Sequence, residues 1–204
     1  MKKMLSCMAA FLVSCTVMTA QDTTAAAEKT VTPKPASDWT FFQIGFLPGV
    51  PGSTKYSNVY GLKLGAPLVD GEGRVCGLEP SFLYSGTSYI DGLQASWFGP
   101  AICREFNGLQ ASIPVSIART MYGAQAAVVN IIREDGYGFG AGAVNIAKNF
   151  YGFQLSAANV ATGEFRGFQF GVFNYSEKKG CQMGLVNIIK DGPLPFMIIF
   201  NGSF

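Results

Sequence analysis

One phrase of eight residues recurs along this chain and limits what it can fold into. It reads Gly, apolar, Gln, apolar, small, two apolar residues, Asn. The clearest copies are Gly152-Phe153-Gln154-Leu155-Ser156-Ala157-Ala158-Asn159, Gly167 to Asn174, and Gly180 to Asn187. Aligned on the Gln position, the copies fall at Gln43, Lys63, Glu79, Gln94, Gln110, Gln125, Gly140, Gln154, Gln169 and Gln182. The intervals are 20, 16, 15, 16, 15, 15, 14, 15 and 13 residues. Five residues after the slot stand Asn130, Asn145, Asn159, Asn174 and Asn187 in five successive copies. A fixed period of this kind takes precedence over other fold signals.

Each copy has nine or ten apolar and small residues, then about five of turn type. Asp135-Gly136, Thr162-Gly163, Lys179-Gly180 and Asp191-Gly192 are turn dipeptides. Two glycines per copy would cost a helix roughly 1 kcal/mol each relative to Ala. The β-branched and aromatic content suits strands instead. The sequence therefore predicts an all-β domain over residues 39–204.

Charge placement sharpens this. From Gly92 onward every charged residue lies eight to twelve positions after a Gln slot, and none falls inside a repeat core. Strand side chains alternate between faces, so one face of the copy at Gln182 carries Cys181, Met183 and Leu185, and the other carries Gln182, Gly184 and Val186. One side is bulky and apolar, the other small with a single amide. A sheet with one wet face alternates apolar with strongly polar residues, and these cores do not. Both sides need shielding from water.

Two architectures satisfy this. The first expectation is an antiparallel up-and-down β-barrel of about 10–12 strands in a bacterial outer membrane, structural or enclosing a narrow passive pore. Cores of nine or ten residues match the 9–11 that a tilted crossing needs, and charge on a lipid face costs roughly 2–4 kcal/mol at mid-membrane. The alternative is a β-solenoid acting as an adhesin-like surface interaction module, which suits near-constant period and amide columns. Strand polarity separates them: antiparallel neighbours close a barrel, parallel copies stack as coils.

Residues 1–20 read as an export signal, with Lys2-Lys3 ahead of a short apolar run and Ala20 at the cut. Leu12-Val13-Ser14-Cys15 resembles a bacterial lipobox and offers lipidation at Cys15 as the other route. Residues 21–38, with Pro33 and Pro35, read as a flexible linker. Of the remaining cysteines, Cys76, Cys103 and Cys181 have no metal-ligand spacing.

The phrase Gly180 to Asn187 resembles the repeat of a family of bacterial surface-repeat proteins. That resemblance implies export to the surface or outer membrane and no catalytic residues. The last nine residues, with Phe196, Ile198, Phe200 and Phe204 alternating, resemble the C-terminal strand signal of bacterial outer-membrane barrels. This second resemblance implies outer-membrane lipid and the barrel assembly machinery as partners.

The chain contains no His, which removes Ser-His-Asp triads, Cys-His pairs and His-ligated metals. Only 14% of residues are charged, against about 25% in average proteins, with no basic stripe for nucleic acid. We expect no enzyme, no cofactor, no metal and no nucleic-acid partner; a surface ligand is left unassigned. The amides Gln94, Gln110, Gln125, Gln154, Gln169 and Gln182, with the five Asn residues, are expected to bond one another across adjacent strands in a dry interior. Because Gln and Asn lie five residues apart, simple alternation sends them to opposite sides.

Overall fold

A computed structural model describes residues 38–203. The elements are β1 (Trp39–Gly45), a single 3-10 turn (Gly52–Thr54), β2 (Asn58–Gly65), β3 (Leu68–Ser81), β4 (Tyr84–Ser96), β5 (Ala101–Ala161), β6 (Phe165–Phe170), β7 (Phe173–Ser176), β8 (Gly180–Ile189) and β9 (Phe196–Ser203). The long β5 covers several copies of the repeat without interruption. The export signal, the 21–38 linker up to residue 37, Cys15 and Phe204 lie outside the described residues.

Neighbouring copies pair parallel and in register. Gly61 lies against Gly77, Gly77 against Gly92, and Gly92 against Gly108. Gly152 pairs with Gly167, and Gln154 with Gln169. Among the described strands only β8–β9 is antiparallel. This overturns the barrel. The chain is a β-solenoid in which each copy is one coil. Equal connections of about five residues suit coils that advance one rung at a time, whereas an up-and-down barrel alternates short and long links.

The glycine that opens each phrase makes the coil possible. From Gly61 to Gly180 nine of these glycines have φ between +127° and +147°. A Cβ on Gly77, Gly92, Gly108, Gly123, Gly138, Gly152 or Gly167 would lie 1.8–2.2 Å from the carbonyl oxygen of the glycine one coil earlier. The backbone turns there, and turns so close to the rung below that no side chain fits.

Four residues before the Gln slot, large apolar side chains point inward. Val59, Val75, Ile90, Phe106, Met121, Phe150 and Phe165 are at most 1% exposed. They stack into one cluster with Ala118, Ile132, Ala147 and Ala161 from the opposite wall. At the C-terminal end β9 runs back across β8, with Met183 against Phe200 and Gln182 against Asn201. Its register slips between Gly184 and Asn187, next to Ile199, which has φ 73°. Phe196, Ile198 and Phe200 are all exposed on this closing strand.

Candidate functional site: buried amide ladders and a two-row apolar face

The Gln side chains point into the coil and are fully enclosed. Four of them donate from Nε2 to Oε1 of the Gln one coil earlier. Gln110 bonds Gln94, Gln125 bonds Gln110, Gln169 bonds Gln154, and Gln182 bonds Gln169, each at 2.8 Å. The amides also reach across the narrow interior: Gln182 donates to the Ile188 carbonyl at 3.0 Å and Gln110 to that of Ala101 at 3.1 Å. At Gly140 the column has no side chain, and it resumes at Gln154.

The Asn residues form a second column that donates the other way, toward the C-terminus. Asn130 bonds Oδ1 of Asn145 (2.8 Å), Asn145 that of Asn159, Asn159 that of Asn174, and Asn174 that of Asn187 (2.9 Å each). The same Nδ2 groups bond corner carbonyls, as Asn174 does with Met183 at 3.0 Å and Asn187 with Gly184 at 2.9 Å.

Alternation placed Gln and Asn on opposite sides, but both point inward. The reason is a bend between them. Strand pairing breaks at Gly171-Val172, between β6 and β7. Gly171 and Gly184 occupy the bend, where a Cβ would come within 2.1 and 1.7 Å of a carbonyl of the preceding coil. Turning the corner resets the parity, so an odd separation keeps both amides inside.

The Gln column begins on a charge. Gln94 Nε2 donates to Glu79 Oε1 at 2.9 Å, and the Ser85 hydroxyl donates to the same oxygen. A carboxylate accepts without needing to donate, so it ends a row of amides that all donate toward it. Lys63, the previous slot residue, places Nζ 3.9 Å from Glu79 Oε2. Lys63 also donates to Thr87 Oγ1 at 2.9 Å and to the Asp70 carbonyl at 3.1 Å. Burial lowers the Lys63 pKa, against the opposing pull of Glu79. The pair fits the pattern of a buried ion pair kept by surrounding hydrogen bonds. The sequence signal for it was two opposite charges in consecutive Gln slots.

Among the described residues the inward amides, Lys63 and Glu79 are buried. Among the described residues no group of three His, Cys, Asp or Glu could hold a metal. Cys76, Cys103 and Cys181 are free thiols. Burial pushes the Cys103 pKa up to about 12, so it is a packed thiol and a poor nucleophile.

The exterior is different. The residues immediately before and after each Gln slot point outward as two parallel rows. One row runs Leu62, Leu78, Leu93, Leu109, then Ala124, Phe139, Phe153, Phe168 and Cys181. The other runs Leu64, Pro80, Ala95, Ala111, then Ala126, Ala141, Leu155, Phe170 and Met183. Not one of these eighteen positions carries a charge, an amide or a hydroxyl. Leu78, Leu109, Phe170 and Met183 are 41–50% exposed. Phe139, Phe153 and Phe168 stack at 5.7 and 5.6 Å between ring centroids. On the far side of the glycine column a polar-edged row follows, in which Tyr122, Tyr137 and Tyr151 stack at 5.0 and 4.9 Å.

No family model, curated protein or solved structure matches this chain. The fold and its surface define its class: a β-solenoid repeat protein with amide ladders inside and a long apolar face outside.

Proposed function

We propose that this chain is an exported, non-catalytic interaction module of the cell surface, and that the two-row apolar face is what it presents. One observation carries the reading: eighteen successive outward positions, over nine coils, hold only apolar residues. Monomeric proteins rarely expose contiguous apolar patches beyond a few hundred Å², and larger ones mark interaction sites. The interior supports the same reading from the other side. It is filled by structural amides and by one ion pair held by hydrogen bonds from its neighbours, so the chemistry left for function lies on the exterior. The leader-like residues 1–20 and the resemblance to surface-repeat proteins support export to the surface.

The test uses the full chain in its native cell. Fractionation with protease shaving of intact cells should find the chain accessible at the surface. A Leu155→Glu/Phe170→Glu variant, shown folded by its unchanged β-rich circular dichroism, should be lost from the surface-retained fraction and appear in the medium. A chain that stays inside the cell, or a double variant retained like the parent, sinks the proposal.

A further inference from the structure

We propose that the apolar face docks a second copy of the same chain, with the two solenoids antiparallel and face to face. This rests on the face being an interaction surface and names its partner.

The argument comes from side-chain size along the two rows. In the row after the Gln slot, Leu64 is followed by a run of small residues from Pro80 through Ala95, Ala111 and Ala126 to Ala141. The row ends on large residues, Leu155, Phe170 and Met183. These last three border an open apolar groove that also takes in Ile199 from β9. This row is therefore low from Pro80 to Ala141 and high from Leu155 to Met183, beside a row that is large except at Ala124 and Cys181. A two-fold axis lying along the strand direction, between the coils of Gln125 and Gly140, reverses the coil order and keeps each row opposite itself. Ala111 then meets Leu155 of the second copy, Ala95 meets Phe170, and Pro80 meets Met183. In the other row Ala124 meets Phe139. Small meets large at these four pairs and at Leu78 against Cys181, while Leu93 and Leu109 meet Phe168 and Phe153, and Ala126 meets Ala141; the contact is isologous, one patch against itself.

The area is sufficient. Nine coils at about 4.8 Å give a face about 40 Å long, and the strand segment between the two bends is about 13 Å wide. Each copy thus covers about 500 Å², before corrugation by side chains is counted. Two copies bury about 1,000 Å² or more, the threshold for a specific interface. No charge sits on the two rows to be desolvated, because the charged residues cluster in the turns.

A native thiol makes the arrangement testable. Cys181 is free and lies in the row before the slot, where the two-fold axis places it opposite Leu78 of the second copy. Within one chain the same two residues are seven coils apart, roughly 34 Å, and cannot bond. The assay uses the full chain carrying Cys7→Ser and Cys15→Ser, so that neither N-terminal thiol competes. Light scattering should give twice the chain mass. Under mild oxidation Leu78→Cys should form a disulfide dimer that disappears in Leu78→Cys/Cys181→Ser. Phe170→Arg should give a folded monomer in which no cross-link forms. A parallel pairing exchanges the two rows and sets position 78 opposite Pro80 of the second copy, so a dimer in which Leu78→Cys forms no disulfide with Cys181 overturns the proposal. A monomer that binds phosphatidylglycerol vesicles through the same face also overturns it, while leaving the interaction reading intact. A monomer whose face variants behave like the parent removes both.

Discussion

Lys63 Nζ stands 3.9 Å from Glu79 Oε2, with both side chains at most 1% exposed, in two consecutive slots of a column that Gln fills from Gln94 onward except at Gly140. Removing either charge alone strands the other in the interior. Lys63→Met or Glu79→Gln should each cost about 3–5 kcal/mol. The double change Lys63→Gln/Glu79→Gln extends the amide column by two rungs, with the new amide at position 79 donating to the one at position 63 as Gln110 does to Gln94. It should recover most of that loss. Urea unfolding of the parent and the three variants measures the coupling; additive losses in the double variant would contradict the account.

Two glycines one coil apart should respond in opposite ways to the same substitution. Gly123 has φ +131° and its Cβ would lie 2.1 Å from the Gly108 carbonyl oxygen. Gly123→Ala should destabilise by on the order of 3–5 kcal/mol, through backbone strain and a clash with a rung that cannot move. Gly140 fills a Gln slot, and its Cβ would meet nothing closer than 3.6 Å, the Asn145 side chain. Gly140→Ala should stabilise by about 0.4–1 kcal/mol through the unfolded chain. Thermal melts of the two variants check the contrast.

Asn159 makes four bonds that matter to its neighbours: it accepts from Asn145 and Ser156 and donates to Asn174 and the Phe170 carbonyl. Asn159→Leu leaves the Phe170 carbonyl and Asn174 Oδ1 without this donor. At about 1–3 kcal/mol for each of these two unsatisfied buried groups, the loss should be about 2–6 kcal/mol. Hydrogen exchange should show it concentrated in the coils from Asn145 to Asn187, because a solenoid couples mainly nearest neighbours.

Alkaline pH provides a separate check. Burial, with a smaller push from Glu79, raises the Cys103 pKa from about 9.0 to about 12. The folded state therefore keeps a proton that the unfolded chain releases. The thiol's contribution is fully present below about pH 9 and is lost as pH climbs toward 12, by up to about 1.4 kcal/mol per pH unit. The difference in stability between the parent and Cys103→Ala, followed from pH 8 to 11, should shrink with that slope. A difference independent of pH would show that the thiol is not held neutral.

Much of the coil was legible in the chain itself. The period of about 15 residues, the charge-free cores and the small, amide-bearing side are all features of the phrase around Gln154 and Gln182. Strand polarity was not legible. A nine-residue core with Phe196, Ile198 and Phe200 alternating at the end reads equally as a membrane crossing, because hydrophobic pattern records burial and not direction. The parity of Gln and Asn misled for a local reason. Alternation assumes a straight strand, and Gly171 and Gly184 bend it between the two amides. The outward rows were visible as bulky residues, but their order of sizes gains meaning only when Ala95, Ala111 and Ala126 are known to stack on one another.

The closing strand has a wider consequence. A stack of near-identical rungs ends in a rung that resembles its own first copy, and open parallel edges invite further chains to add on. Here β9 lies across the last rung with reversed polarity and a kink at Ile199. An incoming parallel rung meets a strand running the wrong way. Among the described residues, the last parallel rung is thus covered by a strand of opposite polarity and offers no parallel edge for another rung to extend.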